Sequence, residues 1–144
     1  MKVAIGSDHG GFDLKEVIKT HLISKGVEVI DCGCEKPERC DYPDFAKLVC
    51  DMVVSEAVNY GIVICGTGIG ISIAANKVKG IRCGLCHDHF TAKLFRQHNN
   101  GNVLAMGCRT TGIEIAKDMV DTFLSTEFEG GRHSDRIKKI HALE

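Results

Sequence analysis

The stretch from residue 61 to 77 leaves a chain few folds to choose from. Ile62, Val63 and Ile64 form an unbroken apolar run that ends in Cys65 and enters the alternating glycines Gly66, Gly68 and Gly70. Ile71, Ile73, Ala74 and Ala75 then carry an apolar, small-residue helical pattern. An apolar run without polar alternation belongs inside a parallel sheet, covered on both faces. The expected order is a buried strand, a tight glycine loop and a helix N-terminus. Such a loop turns backbone N–H groups toward one point, and a helix start favours negative charge there. Cys65 falls at the strand's carboxyl end, where open α/β sheets place their ligands. A thiolate is more accessible beside a helix N-terminus. The stretch therefore suggests a base or nucleophile next to an anion hole.

The rest of the chain repeats the alternation. Residues 2–6 read as a first strand, followed by a helix with Leu14, Val17, Ile18 and Leu22 on one face and Gly26 as its stop. Residues 27–31 form a second strand. Asp41-Tyr42-Pro43-Asp44 opens a helix whose apolar face is read as Phe45, Leu48, Val49, Met52 and Val53. After the glycine loop and Gly80 come a strand over residues 81–86 and a helix capped by Asp88, carrying Phe90, Leu94 and Phe95. Residues 102–106 form the fifth strand, and Ile113, Ala116, Met119, Val120 and Phe123 mark the next helix. A last helix over residues 134–143 has only Ile137, Ile140 and Leu143 as large apolar residues. It is too polar for a core element and suits docking on a partner subunit. Repeated strand–helix units predict an α/β fold, an open parallel sheet with helices on both faces.

Composition narrows the function. The 144 residues suggest one domain. A net charge of −1 argues against nucleic acid or an anionic membrane as partner. No apolar run approaches the roughly 20 residues of a membrane span, and the first residues read as a strand without a signal peptide, which points to the cytoplasm. The eight cysteines invite a disulfide or metal reading, but most lie inside apolar periodic segments. Cys83 and Cys86 are three apart on an expected strand and so face opposite sides. Reduced, buried thiols are the favoured reading.

Other residues supply candidate chemistry. Asp8-His9 follows the first strand, at the same sheet edge as Cys65; the plain alternative is a helix cap with a surface histidine. Thr67 sits inside the loop, where its hydroxyl can reach a ligand oxygen or serve only the turn. His98 ends the helix before the fifth strand, where a helix C-terminus by itself favours a histidine. Arg109 follows that strand. Arg132 and Arg136, four apart, share a face if both are helical, and such a pair suits bidentate phosphate binding or plain solvation. His87-Asp88-His89 lacks a third ligand and is read as a helix start. The glycine spacing is neither a dinucleotide fingerprint nor a P-loop.

Taken together in order, Gly6-x-Asp8-His9-x-Gly11, Asp41-Tyr42-Pro43, Cys65-Gly66-Thr67-Gly68-x-Gly70-x-Ser72, Arg96-x-His98-Asn99, Gly107-x-Arg109 and Glu129-Gly130-Gly131-Arg132-His133-x-x-Arg136 resemble the ribose-5-phosphate isomerase B family. That family also includes galactose-6-phosphate and allose-6-phosphate isomerases. The resemblance covers nearly the whole chain. It implies a Rossmann-like α/β/α sandwich with a five-stranded parallel sheet, and a homodimer, sometimes a tetramer, with the active site at the interface. It also implies no metal and no organic cofactor. One branch places a glutamate where Ile71 stands, so this chain looks like the cysteine-base branch.

The resemblance assigns roles. Phosphate is expected among Arg132, Arg136, Arg109 and His9. His98, with Asp8 and Asn99, opens the sugar ring. Cys65 moves the proton between C2 and C1. Backbone N–H groups from Gly66 through Gly68 and Ile69 to Gly70 hold the enediolate. Thr67 helps move the proton between O1 and O2, and Tyr42 lines the sugar site. The expected activity is interconversion of ribose 5-phosphate and ribulose 5-phosphate, with a six-carbon sugar phosphate as the rival substrate. A non-catalytic sugar-phosphate or nucleotide module would need the loop and arginines but not Cys65 or His98. A redox protein would need reactive Cys83 and Cys86.

Overall fold

A computed structural model describes residues 1–144. The chain runs β1 (Lys2–Ser7), a 3₁₀ turn (His9–Gly11), α1 (Phe12–Ser24), β2 (Glu28–Asp31), α2 (Tyr42–Val54), β3 (Tyr60–Cys65), α3 (Ile69–Ala75), β4 (Cys83–Leu85), α4 (His89–Asn99), β5 (Val103–Gly107), α5 (Ile113–Ser125) and α6 (Arg132–His141). All strand pairs are parallel, in the order β2-β1-β3-β5-β4. The chain builds outward from β1 first to one side, as β2, and then to the other, as β3. The carboxyl ends of β1 and β3 therefore flank a topological switch point, the usual crevice for a ligand. No helix is long and apolar enough to cross a membrane.

The strands read as apolar runs because both faces are covered. Val3, Ile5, Ile62, Ile64, Leu104 and Met106 pack with α1, α4 and α5, whose Leu14, Ile18, Leu22, Ala92, Met119 and Phe123 are buried. The alternate residues Ala4, Val63, Cys65, Val103 and Ala105 pack with α2 and α3. This is the Rossmann-like α/β/α sandwich, with one core on each side of the sheet. Cys83 joins the α2–α3 side and Cys86 the other, as strand geometry requires.

Several expected faces are rotated. The buried residues of α2 are Ala46, Val49, Cys50 and Val53, while Leu48 is 51% exposed and Phe45 and Met52 are only half-buried. The cause is a close approach of α2 to the sheet. A Cβ on Gly61 would stand 2.6 Å from Val49 Cγ1, and one on Gly6 2.8 Å from Val49 Cγ2, so only small residues fit between. Ile113 and Phe90 are exposed, at the starts of α5 and α4, ahead of the turns that pack. Val17 is half-buried, and Lys15 takes the buried place instead. Its Nζ meets Asp31 Oδ2 at 2.6 Å and Glu16 Oε1 at 2.7 Å, because a buried cation needs such partners. The fourth strand is shorter than expected, three residues at the sheet edge.

α6 begins at Arg132, two residues earlier than the pattern suggests, and buries only His133. Within the chain it is held through His133 against His98 and through Arg82 Nη1, which donates to His141 Nε2 at 2.9 Å. Ile140 and Leu143 stay exposed.

Candidate active site

The loop after β3 is built by two close fits. Gly68 has φ 77° and ψ −13°, a left-handed conformation that favours glycine. A Cβ there would lie 2.5 Å from Leu85 Cδ1 and 2.7 Å from the Met106 carbonyl carbon. The loop thus presses against the ends of β4 and β5. Gly68 N–H donates to Cys65 Sγ at 3.2 Å, and Cys65 is 5% exposed. A donor aimed at the sulfur stabilises negative charge on it. Thr67 is exposed, and its Oγ1 accepts from Ile69 N–H at 3.3 Å.

The neighbouring loops close around this one. Asp8 is 8% exposed and caps the 3₁₀ turn, accepting from Gly11 N–H at 3.0 Å. The cap, the plain alternative for Asp8, is therefore present, and His9 beside it is exposed. His9 Nδ1 lies 3.2 Å from the Cys40 carbonyl oxygen and 3.3 Å from its nitrogen, so either ring tautomer is held. Arg109 N–H donates to Gly66 O at 3.0 Å, and its side chain packs over Gly66, where a Cβ would stand 3.4 Å from Nε. Tyr42 lies against Gly70, where a Cβ would fall 2.6 Å from the ring's Cζ. Asp8, His9, Tyr42, Arg109 and the loop from Gly66 through Ile69 to Gly70 thus form one cluster around Cys65.

The second cluster lies elsewhere. Helices run back across the sheet, so His98 and Asn99, at the carboxyl end of α4, stand near the start of β5. Cys65 pairs with Gly107 at its far end. Across the four steps of β5, at about 3.3 Å each, the two ends are roughly 13 Å apart. Arg132 and Arg136 open α6, which joins His98 through His133: the two imidazoles stack with centroids 4.2 Å apart and planes 8° apart. His133 is pushed below the usual histidine range by burial, then by the charges of His98, Arg132 and Arg136, against the opposing Glu129. The chain therefore brings together Cys65, its glycine loop and Arg109, and holds His98 and the pair Arg132 and Arg136 apart from them.

Some residues had roles the motifs did not reveal. Cys108 Sγ donates to Gly10 O at 2.8 Å and tethers the His9 segment to the loop after β5. Burial pushes this thiol up, against the pull of Arg109. The motif Gly107-x-Arg109 skipped it. Arg96 is structural. It is 5% exposed, donates to Gly101 O at 2.5 Å and Tyr60 Oη at 3.1 Å, and its guanidinium lies 4.9 Å from the Tyr60 ring. It locks the end of α4 that carries His98. The redox alternative loses ground here: all eight cysteines are free. Burial pushes Cys50 and Cys86 up to about 12 and Cys83 well above its ordinary value, which keeps those thiols unreactive.

The chain is similar to known proteins over nearly its whole length. The family model described as Ribose/Galactose Isomerase matches residues 3–140. Ribose-5-phosphate isomerase B of Escherichia coli is 52% identical over 143 residues, covering 99% of this chain and 96% of that protein. A putative sugar phosphate isomerase of Bacillus subtilis is 53% identical over 145 residues, covering 100% and 97%. Among solved structures, ribose-5-phosphate isomerase B of Clostridium thermocellum superposes with a TM-score of 0.98 at 52% identity, covering 99% of this chain and 97% of that one. The Thermotoga maritima enzyme gives 0.97 at 51% identity, covering 98% and 97%.

Proposed function

This chain belongs to the ribose/galactose isomerase family, and from that membership we propose how it acts. It is an aldose–ketose isomerase that interconverts ribose 5-phosphate and ribulose 5-phosphate. The observation that carries the chemistry is Cys65 at the switch point, with the Gly68 N–H directed at its sulfur.

The reaction needs a base beside a carbonyl, a site for the developing oxyanion, and an anchor for the distant phosphate. Cys65 thiolate removes the C2 proton of the open-chain aldehyde and returns it at C1. The enediolate between these steps carries negative charge, which the loop N–H groups from Gly66 to Gly70 hold. One donor of this kind is worth about 10²–10³ in rate. Thr67, exposed at the loop tip, passes the proton between O1 and O2. Tyr42 lines the sugar. Arg109 and His9 anchor the phosphate together with Arg132 and Arg136, and that remote binding energy orients the reacting carbons. His98, with Asp8 and Asn99, opens the furanose.

The separation of His98 from Cys65 within one chain supports a homodimer in which each site takes residues from both copies. Exposed Leu48, Ile69 and Ile73, on α2 and α3, offer the apolar surface for such a contact, and the exposed end of α6 offers a second. Pairing of dimers into a tetramer and a cytoplasmic setting, suited to the free thiols, belong to the same reading.

Replacing Cys65 by Ala tests the mechanism. The variant is expected to lose isomerisation while a phosphate-bearing ligand still binds. Turnover at the wild-type rate would remove Cys65 as the base.

A further inference from the structure

We propose that His98, Glu129 and His133 form an inhibitory site for a divalent transition metal of the zinc class. The part of this proposal that concerns inhibition rests on the ring-opening role given to His98 above. The binding part does not.

The donor set is two imidazole nitrogens and one carboxylate oxygen, all within 4.8 Å of one another. Glu129 Oε2 lies 3.8 Å from His98 Nε2 and 3.6 Å from His133 Nε2. Zinc takes His₂Glu ligation with a fourth position open, at bond lengths of about 2.0–2.2 Å, which puts tetrahedral ligand atoms about 3.3 Å apart. The two contacts to Glu129 thus need to close by only about 0.3–0.5 Å. The parallel imidazoles must also splay until their lone pairs converge. The exposed partners have room for that: the His98 and Glu129 side chains are 36% and 49% exposed.

His133 is the fixed ligand. Its side chain is 6% exposed, and its Nε2 lies 3.6 Å from Glu129 Oε2. The backbone aims both residues at His98. Glu129 N–H donates to Gln97 O at 3.0 Å, next to His98. Gly130 and Gly131, at φ 68° and 57°, then bend the chain back so that His133 returns to the same side.

An ion held here occupies the nitrogen that His98 needs for proton transfer, so the metal acts as a brake and not as a cofactor. Arg132 and Arg136 stand on the same helix as His133. A substrate phosphate on them and the cation on His133 thus meet at one helix end.

The test is a cobalt(II) titration of chelator-stripped protein under a thiol-free reductant, followed by visible absorption. The expected spectrum has tetrahedral d–d bands without the near-ultraviolet charge transfer that a cysteine ligand adds. His133→Gln and Glu129→Gln, each checked for folding by circular dichroism, should weaken cobalt binding by at least about 10-fold; Cys65→Ala should leave it unchanged. Zinc should slow wild-type turnover and spare the His133→Gln variant. Thiolate charge transfer, or wild-type affinity in both ligand variants, would overturn the site and leave the isomerase reading intact. Cobalt bound with the expected spectrum but without effect on turnover would overturn the inhibition, and with it the role of His98.

Discussion

Gly68→Ala strikes fold and chemistry at one position. The residue sits at φ 77°, where a side chain costs about 1–2 kcal/mol. Its new Cβ would stand 2.5 Å from Leu85 Cδ1, 2.7 Å from Met106 C and 2.9 Å from Gly107 N. The leucine tip can turn aside, but the other two atoms are backbone, and overpacking of that kind adds about 1–3 kcal/mol. The sum is about 2–5 kcal/mol, set against a typical total of about 5–15 kcal/mol. With a urea slope of about 2 kcal/mol per molar, the midpoint should fall by about 1–2.5 M. The loop must also shift, and with it the N–H that lies 3.2 Å from Cys65 Sγ, so kcat should drop by about 10²–10³. Gly26→Ala is the control. Gly26 has the same φ of 77°, but nothing lies within 4 Å of its would-be Cβ. It should lose only the conformational part and keep full turnover. If the two variants unfolded at the same urea concentration and both turned over like wild type, the close packing of the loop and its link to catalysis would be wrong.

Two further outcomes follow from the same geometry. Burial pushes Asp31 up, but hydrogen bonds from Lys15, Lys19 and Gly33 N–H outweigh it and hold the carboxyl below its ordinary value. A depressed carboxylate stabilises the fold above its unfolded value, near 3.9, and that stability is lost as pH falls through the folded value. Asp31→Asn should cost about 2 kcal/mol at neutral pH, less than the about 3–5 kcal/mol for a buried charge left alone, because Glu16 still holds Lys15. Its acid unfolding curve should also be flatter below about pH 4; a variant as stable as wild type at pH 7 would refute the buried-pair account. Mixing inactive Cys65→Ala with inactive His98→Asn after subunit exchange should restore about a quarter of wild-type turnover, since half the dimers then carry one intact site of two. No recovery in verified mixed dimers would refute a site shared between copies.

What could be read from the chain was what local signals encode. The parallel strands, the glycine loop, the Asp88 cap and the opposite facing of Cys83 and Cys86 rest on periodicity and on spacings of a few residues. Asp88 indeed accepts from Thr91 N–H at 2.8 Å. The face of α2 was misread because Gly6 and Gly61 act on it across the sheet, and Lys15 because its partner Asp31 is 16 residues away. The placement of His98 had a usable signal: a helix between parallel strands returns its carboxyl end to the opposite edge of the sheet. Cys108 carried none, since its partner, the Gly10 carbonyl, belongs to a backbone segment 98 residues away.

The central claim is best tested by turnover. Purified protein, with chelator present, would be given ribose 5-phosphate, allose 6-phosphate and galactose 6-phosphate separately, and ketose formation scored as kcat/KM. The account predicts the highest value for the pentose phosphate. A higher value for either hexose phosphate would contradict the assigned substrate, and no turnover of any would contradict the assignment of an isomerase.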